Sequence, residues 1–286
     1  MKRRILHSPA ILAGPNLVWL ALFLLGALLV LVDVSFRVYS AGGVGVTDEL
    51  TVANYTNFLT DPFLRGILMR SLEMAGVVVL GTVILGLPLA TTLSRTTGRA
   101  RTILYFLILI PLMTSVVVRT FGWMMLLSNN GLFNGILRDL GLITRPFRMM
   151  YNMIGVDLVM IQVHLPFMVL ALDAALLNIN PQIYEAARNL GASRLRTFVR
   201  ITLPLCIPGL VSGTILVFAL AISSYVTPAL IGGPRNPVMA MLIYQQGVAL
   251  LNWPFGAAIS ICLLLLLLAL LAGFLALTAR FSRRIA

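Results

Sequence analysis

The sequence predicts an all-α membrane protein with six transmembrane helices, and three observations carry that prediction. Hydrophobic residues make up 59% of the 286 residues and charged ones 10%, against roughly 45–50% and about 25% in soluble domains. Six apolar runs reach the ~20 residues needed to cross a hydrocarbon core of about 30 Å. The arginines gather between those runs instead of forming a basic stripe with interleaved aromatics. The formal charge of +12 therefore does not describe a nucleic-acid surface.

The runs, in order, are Ala10–Val32, Ile67–Leu93, Thr102–Leu127, Ile154–Leu177, Pro204–Ile231 and Phe255–Ala279. The first follows Lys2, Arg3 and Arg4 as a signal peptide would. It is longer than a signal core of about 7–15 residues and lacks a small-residue cleavage site, so it reads as an uncleaved anchor. With the N-terminus inside, Lys2, Arg3, Arg4, Arg95, Arg99, Arg101, Arg188, Arg194, Arg196, Arg200, Arg280, Arg283 and Arg284 all fall inside. That bias sets the orientation and returns the C-terminus to the cytoplasm. Arg145 and Arg148, in an outer loop, run against it. The organisation is thus an anchor helix at 1–33, an extracytoplasmic loop at 34–66, a five-helix core at 67–279 and a basic cytoplasmic tail at 280–286. The outer segments Asp33–Gly66, Ser128–Met153 and Gly232–Pro254 each have room for a short interfacial helix or a docking surface, and none for a domain.

Catalytic chemistry finds no support in these residues. Lys2 is the only lysine, so no phosphate-binding loop ending Gly-Lys-Ser/Thr is present, and any ATP must be hydrolysed by a partner. Cys206 and Cys262 lie in apolar runs, as packing residues do. His7 and His164 are isolated, and His164 reads as a hydrogen-bonded helix-interface residue. No metal-ligand cluster and no nucleophile–base pair is visible.

The inner connection from Asn178 to Pro204 is the most informative stretch. Asn180 can cap a helix whose first position is Pro181, where the missing N–H costs nothing. Gly191 is placed to end that helix in a left-handed conformation, and Ser193 can cap a second helix running to Pro204. Ile183, Ala187 and Leu190 recur at i, i+4 and i+7 as a narrow apolar stripe. Taken locally, this is an amphipathic connector lying on the membrane. The spacing adds something more: Glu185-Ala186-Ala187, three residues, Gly191, nine residues, then Ile201-x-Leu203-Pro204.

That pattern resembles the coupling-loop signature of binding-protein-dependent ABC importer permeases, at every position and before the penultimate span. The resemblance implies a type I ABC importer permease fold in a bacterial inner membrane. It also implies a second homologous permease subunit, a cytoplasmic ABC ATPase dimer that holds the ATP and magnesium, and an extracytoplasmic solute-binding protein. Within this loop, Glu185 would make polar contacts in a groove of the ATPase. Ala186 and Ala187 would seat the helix, and Gly191 would set the turn. Other stretches are similar to spermidine/putrescine-type permeases: Pro111–Trp123, Gly131–Asn134, Pro166-Phe167, Pro208-Gly209, Gly232-Gly233 and Trp253–Ala258. Two departures stand out. Ala240-Met241 replaces a frequent Gly-Asn, and neutral Asn252 replaces a frequent Asp, which argues against a polycation. Another small solute, such as an amino acid derivative or organophosphonate, stays open, as does an ion-coupled secondary transporter.

Ionisable groups inside spans are costly and mark functional positions. Glu73, Arg119 and Asp157 all fall in the outer part of their spans. Glu73 and Arg119 can form an ion pair that fixes helix packing. Alternatively, Glu73 or Asp157 faces the path and attracts a cationic substrate. Asp173, near the inner end of its span, suits an inner arginine or the second permease. Tyr225, Trp253 and Phe255 can hold an alkylammonium by cation–π contact. Trp253 and Phe255 equally suit the aromatic belt at the membrane surface, against lipid.

Overall fold

A computed structural model of the chain describes residues 9–40 and 45–282. Lys2, Arg3, Arg4, His7, Arg283 and Arg284, which entered the sequence argument, lie outside the described residues. The helices are α1 (Pro9–Ser35), α2 (Ala53–Thr60), α3 (Pro62–Arg95), α4 (Gly98–Met113), α5 (Val116–Leu127), α6 (Leu132–Asp139), α7 (Met153–Leu177), α8 (Pro181–Asn189), α9 (Arg194–Thr197), α10 (Leu203–Leu205), α11 (Ile207–Ile222), α12 (Met239–Tyr244) and α13 (Trp253–Ser282). Among the described residues, extended structure is limited to one isolated antiparallel bridge, Arg37 with Leu50.

Four helices are individually long and apolar enough to cross a membrane, within α1, α3, α7 and α13. The other two predicted spans are bent pairs. The third span, expected to run unbroken over Thr102–Leu127, is broken between α4 and α5, where the axis turns by 97°. Pro111 lies within α4, and the helix runs on through it to Met113 before it breaks. Thr114 leaves the helix in an extended conformation while its hydroxyl donates to the Pro111 carbonyl at 2.8 Å. The fifth span, expected over Pro204–Ile231, is instead two pieces meeting at 62° near Cys206, and it ends early at Ile222. Pro228 denies the Ser224 carbonyl its helical partner, and the chain restarts at Val226 as a short helical piece that is π-helical over Pro228–Gly232. The expected short helices of the outer segments are present as α2, α6 and α12.

The described chain forms two compact units, Met1–Arg65 with Leu242–Leu268 and Gly66–Met241 with Ala269–Ala286. In the first, α1 from Val18 onward keeps most of its large apolar side chains exposed, as a lipid-facing anchor does. Beyond α1, Arg37 bridges Asp33 at 2.8 Å and Asp48 at 3.0 Å, closing the loop that leads to α2. The second unit is organised around α7, which buries residues on every side, from Gly155 to Leu176. Its tightest partner is α11. A β-carbon on Gly209 would lie 2.6 Å from Ala175 Cβ and 2.8 Å from the Ala171 carbonyl oxygen, and one on Gly213 would lie 2.7 Å from Met168 Sδ. Gly209, Gly213, Val217 and Ala221 are all buried at four-residue intervals, a small-residue seam of the kind that brings membrane helices into backbone contact. Cys206 is buried and Cys262 half-buried, both as free thiols.

Candidate functional site

The connection between α7 and α11 folds as its local chemistry dictates. Asn180 Oδ1 accepts the Gln182 N–H at 3.0 Å, with Pro181 opening α8. At the other end Gly191 takes φ +73°. Its N–H donates to the Arg188 carbonyl and the Ala192 N–H donates to the Ala187 carbonyl, both at 3.0 Å. These are the paired bonds of a Schellman turn, available at low cost because glycine has no β-carbon to clash there. Ser193 Oγ then accepts the Arg196 N–H at 3.4 Å to open α9.

The second helix is not uniform. A π-helical turn over Phe198–Thr202 separates α9 from α10, with the Leu203 N–H reaching back to the Phe198 carbonyl. Pro204 has no N–H for that ladder, and widening the turn by one residue absorbs the mismatch. Ile201, Leu203 and Pro204 are half-buried there, so they anchor the connection to the rest of the chain.

The structure divides the Glu185-Ala186-Ala187 triplet. Glu185 and Ala186 are exposed, whereas Ala187 is only 6% exposed and packs inward. Of the two alanines expected to seat a partner, Ala186 presents its surface and Ala187 packs within the chain. The expected apolar stripe is likewise split, because Ala187 is buried while Ile183 and the 88% exposed Leu190 face out. Leu190 is the capping residue, already leaving the helical path.

The polar groups within the membrane helices are arranged differently from the expected ion pair. Glu73 is exposed on α3, and Arg119 on α5 buries Nε and Nη1 with no hydrogen-bond partner. No Glu73–Arg119 bridge exists among the described residues. Asp157, half-buried on α7, has a buried Oδ1 with no partner. Tyr225 sits in the irregular stretch between α11 and the π-turn, where its carbonyl accepts the Ala229 N–H at 3.0 Å. That stretch is held by Tyr151, whose N–H donates to the Ile231 carbonyl at 2.7 Å, and by Asn236, which donates to the Tyr151 and Gly232 carbonyls.

Asp173 meets the partner type expected of it. It is 1% exposed, accepts a short hydrogen bond from the Tyr105 hydroxyl and lies 3.4 Å from Arg101 Nη2. Sequence reasoning missed Tyr105, although its place one helical turn after Arg101 puts both on one face. His164, 4% exposed, bonds through Nδ1 to the Met160 carbonyl at 2.8 Å, as expected of an interface histidine. Asn134, in the Gly131–Asn134 stretch, closes the loop after α5 by pairing with Phe147 through both its amide atoms.

In the other unit, Trp253 opens α13 and is exposed, while Phe255 is half-buried. Asn252 Oδ1 accepts the Phe255 N–H at 3.2 Å, making it the cap of α13. Asparagine and aspartate cap about equally well. The departure from the frequent aspartate therefore preserves the helix start while it removes a negative charge.

Comparison with known proteins agrees with this architecture. The family model for the binding-protein-dependent transport system inner membrane component matches residues 82–286. The spermidine/putrescine transport system permease protein PotB of Escherichia coli K12 is 34% identical over 245 residues, covering 86% of this chain and 88% of that protein. The inner membrane ABC transporter permease protein YdcU of the same organism is 32% identical over 93% of this chain and 90% of its own length. A crystal structure of a bacterial alginate ABC transporter, in complex with alginate pentasaccharide-bound periplasmic protein, aligns with TM-score 0.78 at 19% identity. It covers 96% of this chain and 93% of the matched chain, and at that identity the likeness speaks for the fold. On the family match and the two bacterial relatives, this chain belongs to the family of binding-protein-dependent transport system inner membrane components, the membrane-spanning permeases of ABC transporters.

Proposed function

We propose that this chain is a permease subunit of an ATP-driven polyamine importer in a bacterial inner membrane, with both termini cytoplasmic. It pairs with a second homologous permease, stands on a cytoplasmic ABC ATPase dimer and receives solute from an extracytoplasmic binding protein. The chain itself makes and breaks no covalent bond; ATP and magnesium belong to the ATPase. The observation that carries the coupling role is the turn at Gly191, which fixes α8 with Glu185 and Ala186 outward. The likeness to spermidine/putrescine permeases carries the substrate class.

The mechanism follows from rigid attachment. Closure of the ATPase dimer on ATP displaces α8, and the half-buried Ile201, Leu203 and Pro204 pass the movement to α11. The seam at Gly209 and Gly213 ties α11 to α7, so both move together and the path opens outward. Hydrolysis reverses the movement. Asp157, whose Oδ1 has no partner among the described residues, is the carboxylate available to a passing alkylammonium. Glu73 and Tyr225 are secondary contacts, and Arg119 keeps the path from holding a polycation too tightly.

The test is to reconstitute the assembled complex with its binding protein and measure ATPase rate with spermidine, putrescine or control amino acids. Stimulation by a polyamine, lost in Glu185→Ala, supports both coupling and substrate. Stimulation by another solute alone keeps the importer and discards the polyamine. A chain that never associates with an ATPase overturns the importer and favours ion-coupled transport.

A further inference from the structure

A half-open cavity of about 1000 Å³ lies beside the coupling segment, lined by the end of α3, the end of α7, α8 and the start of the second helix, with its arginines exposed at the surface. Its charge is one-sided. Arg95, Arg188 and Arg194 line it, and no carboxylate does. Ion pairs among the described residues are confined to Arg37 and Arg101, so none of these three guanidiniums is neutralised by a carboxylate. Arg95 instead rests over the Tyr184 ring, 6.0 Å from its centroid, a contact that leaves its N–H groups free to donate.

A second observation is independent of the charge. Thr202 lines the same cavity, is 1% exposed, and its hydroxyl has no hydrogen-bond partner. A helical threonine normally satisfies its hydroxyl on the carbonyl one turn back, as Thr197 does on Ser193. A buried hydroxyl left unpaired costs free energy unless a ligand satisfies it. The Ser193 hydroxyl only accepts, from the Arg196 N–H, so its own proton also remains to be donated.

We infer that this cavity binds a phosphate-bearing anion, held by Arg95, Arg188 and Arg194, with the Ser193 hydroxyl, and the Thr202 hydroxyl once its side chain turns toward the cavity, completing the donor set. Planar guanidiniums match phosphate oxygens in paired hydrogen bonds, and the cavity admits a phosphodiester with part of its glycerol. The anion ties α3 and α7 to the coupling segment, so its occupancy stiffens the attachment of α8. Two sources carry this chemistry, the headgroup of an anionic lipid and free phosphate. The site stands whether or not the transported solute is a polyamine.

The test uses the full chain in detergent. One arm counts phosphatidylglycerol retained in native mass spectra, against phosphatidylcholine. The other follows thermal unfolding with inorganic phosphate against chloride at equal ionic strength. Phosphatidylglycerol retention assigns a lipid, and a Tm rise with phosphate alone assigns the free anion. In either case Arg188→Gln and Arg194→Gln each weaken binding by roughly tenfold or more, and Thr202→Val, which keeps the shape, weakens it by less. Arg196→Gln and Arg200→Gln, both exposed and outside the cavity, leave it unchanged. The inference is overturned if neither probe binds, or if the Arg196 and Arg200 variants lose as much as the cavity variants, since that is the behaviour of a basic surface and not of a site.

Discussion

Replacing Gly191 isolates the backbone of the coupling turn from everything around it. The residue holds φ +73°, and a β-carbon added there meets no heavy atom within 4 Å. Gly191→Ala therefore adds no steric contact, and its whole effect is the cost of a left-handed alanine, about 1–2 kcal/mol. That is a roughly 5–30-fold loss in the population of the turn relative to its alternatives. Gly191→Asn costs less, because asparagine tolerates this region. Gly191→Pro cannot adopt it at all, and it also deletes the N–H that bonds the Arg188 carbonyl. The assay is binding-protein-stimulated ATPase and solute uptake in proteoliposomes, normalised to assembled complex. The expected order of activity is Gly, Asn, Ala, Pro. Wild-type coupling in Gly191→Ala, or an asparagine variant as inactive as the proline one, refutes the argument that the turn's conformation transmits the movement.

Other perturbations read other parts of the structure. Gly209→Ala forces a methyl against the Ala171 carbonyl, while Gly213→Ala meets the flexible Met168 side chain. The first should lose about 1–3 kcal/mol and the second less, measured as thermal stability in detergent; equal effects would mean that the seam relaxes freely. Tyr105→Phe leaves buried Asp173 short of a donor and should cost about 1–3 kcal/mol, with recovery when Asp173→Leu is added; the same unfolding assay checks both. Asp157→Asn and Glu73→Gln, made separately, should lower uptake without loss of assembled complex, and Asp157→Asn should have the larger effect; normal transport by both removes them from the path. Asn252→Ala should destabilise the start of α13 by about 1 kcal/mol, whereas Asn252→Asp should be silent in the unfolding assay and show whether an added outer acid raises uptake.

What the sequence determined by itself is what depends on composition or on neighbours along the chain. Apolar runs must be helical because unpaired backbone groups are too costly in lipid, so six spans were legible as hydropathy. The ends of α8 were legible for the same local reason, since Asn180, Pro181, Gly191 and Ser193 act on groups within a few residues of themselves. The breaks in the spans were not. Pro88 and Pro166 stay inside continuous α3 and α7, while Pro111 and Pro228 accompany a bend or an unwound stretch. Whether a proline breaks a helix depends on whether neighbouring elements resatisfy the freed carbonyl, which is a tertiary matter. The same holds for the polar groups. Glu73 and Arg119 share a depth, but pairing needs their helices to be rotated toward each other, and only packing sets that rotation. It left Arg119 without a partner among the described residues, gave Asp173 to Arg101 and Tyr105, turned Ala187 inward, and brought Arg95 to the cavity lined by Arg188, Arg194 and Thr202.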